Sequence, residues 1–184
     1  MANAEGKRRA PRSLVLVLVG IVVAVAGAIG VGRILGDRDA PGVGTPSGPG
    51  REHRDQGARH VVAVQRGFRY SSDPPTSGPH RPLFPTGEPD APPDALLHAL
   101  ELGNVVLYFG ARTAPVELRR FARAVAGPFD RALAASGQAV ILARRPGTDG
   151  VIAAAWRRSL EVGNAGDPAL REFAEHWLGQ GASR

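Results

Sequence analysis

The chain contains no cysteine, which removes disulfide scaffolds, zinc ribbons and thiol chemistry from consideration. Lysine is nearly absent too: Lys7 is the only one, so basic charge is carried by arginine. Aromatics are few, with six Phe, two Tyr and two Trp, and they are too scattered to form a base-stacking platform. Nor is there a basic stripe, because half of the net charge of +6 falls in residues 1–12, where Lys7, Arg8, Arg9 and Arg12 face only Glu5. Together these features argue against a nucleic-acid partner. The glycines form no GxxxxGK[ST] phosphate loop, and the serines form no GxSxG elbow.

What is present begins with a run of 20 uncharged residues, Ser13–Gly32, rich in Val, Leu and Ile and bounded by Arg12 and Arg33. A helix of that length spans about 30 Å, the thickness of a bilayer core. A transmembrane helix is therefore expected over 13–33, after a basic cytoplasmic tail over 1–12. A cleaved signal peptide is the competing reading, with Ala24-Val25-Ala26 as the small-residue cleavage site. The apolar run continues past that site to full spanning length, which favours a retained anchor. The basic residues before the span place the N-terminus in the cytoplasm and the rest of this single-pass protein outside the cytoplasmic membrane.

Residues 34–58 are dominated by Gly, Pro and charge and read as a linker that cannot bury enough surface to fold. Residues 59–179 have the size of one domain, and 180–184 form a tail. Within the domain, His60–Gln65 reads as a short strand, Tyr70–Pro93 as irregular, and Asp94 as the N-cap of a helix over Ala95–Leu102 that Gly103 ends. Val105–Phe109 reads as a buried strand. Pro115 opens a helix with Leu118, Phe121, Ala122 and Val125 on one face and Arg119, Arg120 and Arg123 on the solvated side, and Phe129–Ala135 adds a turn or two. Ala139–Ala143 and Val151–Trp156 read as an antiparallel hairpin, and Asp167-Pro168 starts a closing helix with Leu170, Phe173, Ala174 and Trp177 inward. This order predicts an α+β fold, a small α/β sandwich compatible with a thioredoxin-like arrangement. Without a CxxC motif, such a fold implies no redox chemistry.

Two stretches carry a more specific signal: Tyr70–His80, YSSDPPTSGPH, and His98–Gly103, HALELG. Together they resemble the domain of unknown function 3105 family, membrane-anchored bacterial proteins that typically show NPPTSGPH followed by HxLEHG. The resemblance extends to Val105–Tyr108, Ala154–Arg157 and Asp167–Leu170 with Phe173, and covers roughly residues 59–178. It implies one membrane anchor and an envelope-facing domain, and it brings no established activity. Asp73 stands where the family pattern has Asn, and Leu102 where it has His.

The resemblance singles out His80, His98 and Glu101, which offer the imidazole and carboxylate ligands that a divalent transition metal accepts. On a helix, positions 98, 101 and 102 share a face, and Leu102 interrupts that ligand stripe. The alternative is that these residues fix the motif loop of Pro74, Pro75, Thr76, Ser77, Gly78 and Pro79, where a proline-rich segment has few backbone donors and must be stitched down by side chains. The loop is accordingly expected to be ordered and to pack against the segment around His98. A Ser77–His80–Asp73 triad is too local for the geometry of serine hydrolysis. Trp156-Arg157-Arg158 could meet an envelope polymer, although a Trp ending a strand is more often core. The expected function is an uncharacterised extracytoplasmic binding or interaction domain, not evidently catalytic and with no resident cofactor, whose partner is an envelope protein or polymer. The alternative is a metal-binding envelope protein that uses His80, His98 and Glu101. Oligomeric state is left open.

Overall fold

Residues 48–182 are described by a computed structural model; the expected tail over 1–12, the expected span over 13–33 and the first part of the linker lie outside the described residues. Among the described residues no helix is long and apolar enough to cross a membrane. In chain order the elements are β1 (Arg51–Glu52), α1 (Pro93–Leu102), β2 (Val105–Phe109), α2 (Val116–Ala126), α3 (Arg131–Ala135), β3 (Val140–Arg144), β4 (Val151–Ala155), β5 (Arg158–Val162) and α4 (Pro168–Trp177). The strands form one mixed sheet in the order β1-β5-β4-β2-β3, with β2 and β3 parallel and every other pair antiparallel. The domain is thus a small α/β unit.

Alternation along β2 sets the layers. Val105, Leu107 and Phe109 join Leu118 and Phe121 of α2 and Phe173 and Trp177 of α4 on one face. Val106 and Tyr108 join Leu96 and Leu100 of α1, Ile141 and Trp156 on the other. A strand covered on both faces has no solvent side, so β2 reads as an unbroken apolar run rather than an alternating one. Each fully buried Leu or Phe in these clusters contributes about 1.5–3 kcal/mol relative to exposure, and the arginines of α2 stay outward as its periodicity predicts.

Helix ends follow their local chemistry. Asp167 caps α4 by accepting from Ala169 N–H, Asp130 caps α3 through Ala132 and Leu133 N–H, and Gly103 ends α1 at φ 110°. Asp94 is not the N-cap of α1: Pro92 holds that position, and the Asp94 carboxylate instead takes the backbone N–H and Nε of Arg81, at 3.0 and 2.8 Å.

Three further expectations are corrected. Ala139–Ala143 and Val151–Trp156 do not form a hairpin, because β2 lies between β3 and β4 and pairs with both. The connection Arg145–Gly150 passes over the end of β2, where Arg145 N–H donates to Phe109 O and a Cβ on Gly110 would lie 2.2 Å from Thr148 O. The hairpin is instead β4–β5, turned at Arg157 with φ 62° and closed by the Ala155–Arg158 pair. His60–Gln65 is not a strand: only His60 makes a bridge, to His80, and Val62 is 96% exposed. A β-prone composition becomes a strand only where it finds a partner, and this stretch pairs through His60 alone.

Residues 48–58, assigned by composition to the linker, belong to the folded unit. Arg51 and Glu52 pair with Ser159 and Arg158, Trp177 Nε1 donates to Pro49 O, and Glu52 forms ion pairs with Arg157 and Arg158. His53 is hydrogen-bonded to Ser159 Oγ. Hydrogen bonds rather than apolar burial hold this stretch, so hydrophobic pattern could not reveal it.

Candidate functional site

The motif loop is ordered by the donors and acceptors its sequence supplies. Tyr70 OH donates to Pro79 O, Ser71 Oγ to Arg54 O, and Ser72 Oγ meets Thr76 Oγ1 at 2.8 Å. Gly78 N–H donates to Gly57 O, Gln56 N–H to Ser77 Oγ, and Arg157 N–H to Thr76 O. Thr76, Ser77 and His80 are fully buried as a result. Pro74, the first of the loop prolines, follows a cis peptide bond, and Asp73 takes Arg145 Nη2 at 2.7 Å. Ser77 and Asp73 are committed to these partners, so no triad with His80 is assembled.

The loop runs beside the preceding chain. His80 N–H donates to Arg59 O and Val61 N–H to His80 O, forming a parallel bridge between His60 and His80. Bridge partners project their side chains to the same side, and the two rings lie 5.2 Å apart. Opposite them, α1 presents His98 and Glu101, three residues apart and so neighbours on the helix face. Arg81 fastens the chain after His80 to Asp94 in the first turn of that helix. Burial alone would raise the Asp94 carboxyl, but the Arg81 hydrogen bonds and charge outweigh it and hold its pKa below the ordinary range.

Three imidazoles converge on one carboxylate oxygen. Glu101 Oε2 lies 2.8 Å from His60 Nε2, 2.9 Å from His80 Nε2 and 3.1 Å from His98 Nδ1, and the four ligand atoms fall within 4.8 Å of one another. The three residues expected from the sequence are thus brought together, and a fourth, His60, joins them. His80 is inaccessible, His98 nearly so with Phe84 packed edge-on against it, and the His60 side chain is 45% exposed, so the site opens to solvent on the His60 side.

Protonation is constrained by what surrounds the rings. His80 Nδ1 lies 2.9 Å from Gly78 O, and a carbonyl can only accept, so Nδ1 carries the proton. In the neutral ring Nε2 is then a bare lone pair, and it faces the carboxylate of Glu101, which also only accepts. Two acceptors at that distance are reconciled by a cation between them, either a proton or a metal ion. A ring nitrogen held by a backbone carbonyl while the other points inward is also the usual arrangement around a metal-ligating histidine. Burial, with the neighbouring His80 and His60, lowers the pKa of His98, only partly opposed by Glu101. For Glu101 burial raises the pKa, but hydrogen bonds from His60 and His98 outweigh it, and the net shift is downward.

Position 102 contributes no ligand to this cluster. On a helix at about 100° per residue, 98 lies between 101 and 102 around the axis, and the cluster gathers on the 101 flank. The third imidazole comes from His60 instead, which no periodicity or motif spacing marked. Trp156, the other residue singled out, is core, 7% exposed.

A family described as a protein of unknown function, DUF3105, matches residues 61–183. Neither a curated protein nor a solved structure matches the chain.

Proposed function

The chain belongs to the DUF3105 family, and on that premise we propose that its domain binds one divalent transition metal ion through His60, His80, His98 and Glu101. The observation that carries this reading is the convergence of three imidazole nitrogens on Glu101 Oε2. A single proton would reconcile one lone-pair contact, but it needs neither three rings nor their common focus. An N₃O donor set suits the borderline metals, zinc, copper and nickel, rather than magnesium or calcium. Four protein ligands would close a tetrahedral site, and the exposed His60 is the ligand that exchange with solvent or a partner would reach first.

The uncharged run Ser13–Gly32, with Lys7, Arg8, Arg9 and Arg12 before it, supports tethering of this domain to the cytoplasmic membrane, facing outward. The parallel pair β2–β3, flanked by the antiparallel β4 and β5, supports a thioredoxin-like arrangement for the domain.

The test is elemental analysis of the purified 184-residue chain, followed by thermal melts with and without zinc, copper or nickel. One equivalent of bound metal is expected. At about one hundred times the dissociation constant, binding stabilises the fold by about 2.7 kcal/mol, a rise in melting temperature on the order of 10 °C. Absence of metal together with no shift for any of the three ions would leave the histidines as fasteners of the motif loop. A C-terminal reporter active only in the cytoplasm would overturn the outward topology, and a mature N-terminus at Gly27 would overturn the retained anchor.

A further inference from the structure

A second site lies on the α2 face of the sheet, away from α1. A cavity of about 550 Å³ is lined by Arg112 from the loop before α2, by Arg119 and Arg123 on the outer side of α2, and by an apolar floor of Ala122, Val140 and Leu142. Its volume falls in the range of small-molecule pockets. None of the three arginines forms an ion pair among the described residues. Arg119 and Arg123 stand four residues apart on one helix, where like charges repel. The one carboxylate at the rim, Asp90, is exposed and turned to Arg144 Nη1 at 3.6 Å, so it does not neutralise them.

The α2 arginines read from sequence as a merely solvated face, yet two of them border a cavity and the third does not. Arg120 lies on the same helix outside the lining, so the grouping of Arg112, Arg119 and Arg123 is set by the fold rather than by arginine abundance. Guanidinium groups engage carboxylate and phosphate oxygens through paired N–H donors, and the apolar floor favours a ligand with a hydrocarbon part. We infer that this cavity binds a small organic anion, a phosphate or carboxylate head on an apolar body, with Arg112, Arg119 and Arg123 holding the head. The inference is independent of the metal site.

The probe is phenylphosphate, titrated calorimetrically into the 184-residue chain held in neutral detergent micelles. Binding is expected, weakened at least about tenfold by Arg119→Gln combined with Arg123→Gln and by Arg112→Gln alone, and changed by less than about twofold by Arg120→Gln. These side chains are exposed, so the melting temperatures of all variants should match the unmodified chain. No binding of phenylphosphate to the unmodified chain, or an equal loss in Arg120→Gln, would overturn the site. Inorganic phosphate binding as tightly as phenylphosphate would overturn the role of the apolar floor. Displacement of phenylphosphate by phosphatidylglycerol added to the micelles would overturn the free-ligand assignment in favour of a lipid headgroup.

Discussion

His80 Nε2 lies 2.9 Å from Glu101 Oε2 while its other ring nitrogen is held by the Gly78 carbonyl. The loop therefore determines which nitrogen faces the cluster, and the helix determines what that nitrogen meets. Replacing His80 should damage both relationships at once. His80→Ala is expected to abolish the metal-induced rise in melting temperature and also to lower metal-free stability by about 2–4 kcal/mol, because the ring is fully buried. His60→Ala should separate the two effects. Metal affinity should fall by at least the roughly 10–100-fold typical of losing a supporting residue, while metal-free stability stays within about 0.5 kcal/mol, since the side chain is half exposed. Melts of both variants with and without zinc provide the check.

Leu102 offers a sharper comparison. By residue type it interrupts a ligand stripe, but the cluster is already supplied with a third imidazole by His60 and sits on the Glu101 flank of α1. Leu102→His is therefore expected to leave both the metal stoichiometry and the metal-induced melting shift unchanged. It should also fail to rescue His60→Ala. Recovery of the shift in the double variant would show that position 102 reaches the site after all.

Asn104 is the polar residue on which the α1–β2 junction depends. It is fully buried, its amide donates to Ala99 O and Ala134 O, and its carbonyl accepts from Ala139 N–H, so it joins the end of α1, the end of α3 and the approach to β3. Asn104→Leu leaves the buried Ala139 N–H without its acceptor, while Ala99 O and Ala134 O keep the backbone N–H groups of Asn104 and Gly137, and it is expected to cost about 2 kcal/mol in urea unfolding. A loss below about 0.5 kcal/mol would mean that the Ala139 N–H finds another acceptor.

Acid should weaken the metal-free domain in stages. His98, Glu101 and Asp94 are each held below their ordinary values of 6.5, 4.5 and 3.8. In each case the unfolded chain binds the proton first as pH falls. The stability each contributes is complete above the ordinary value and lost as pH drops through the lowered one. The melting temperature should hold near neutrality, begin to fall below 6.5 through His98, and fall further below 4.5 and 3.8 through Glu101 and Asp94. A metal-free melting temperature that rises between pH 7 and pH 5 would contradict these directions. Metal affinity should weaken over the same range, because protons compete for the same nitrogens.

Elements whose stability is local were legible in the sequence. The amphipathic spacing of α2 and α4, the Asp167 cap and the apolar run of β2 each state their own structure. What escaped depends on partners distant in the chain. β5 begins with Arg158 and carries Glu161, a polar pattern that becomes a strand only because β4 lies beside it. The β3–β4 hairpin was the natural guess for strands joined by a short turn, but an all-apolar β2 demands a neighbour on each edge and inserts between them. At the site, His80, His98 and Glu101 could be named because motif and helix spacing mark them. His60 could not, because its position follows from one bridge to a residue twenty places further on.

The stretch from Gly48 to Ala58 does two jobs along a single strand of chain. Its first residues grip β5 and Trp177, and two residues past its end the chain delivers His60 to the cluster. A pull applied at Gly48 would load the short β1–β5 ladder and the Trp177–Pro49 hydrogen bond before any other part of the sheet. If that grip peels away as far as Ala58, the next ångströms of travel withdraw an imidazole from Glu101. Mechanical attachment and the proposed ligand set are thus arranged in series, so that traction on the chain would withdraw His60 from the cluster.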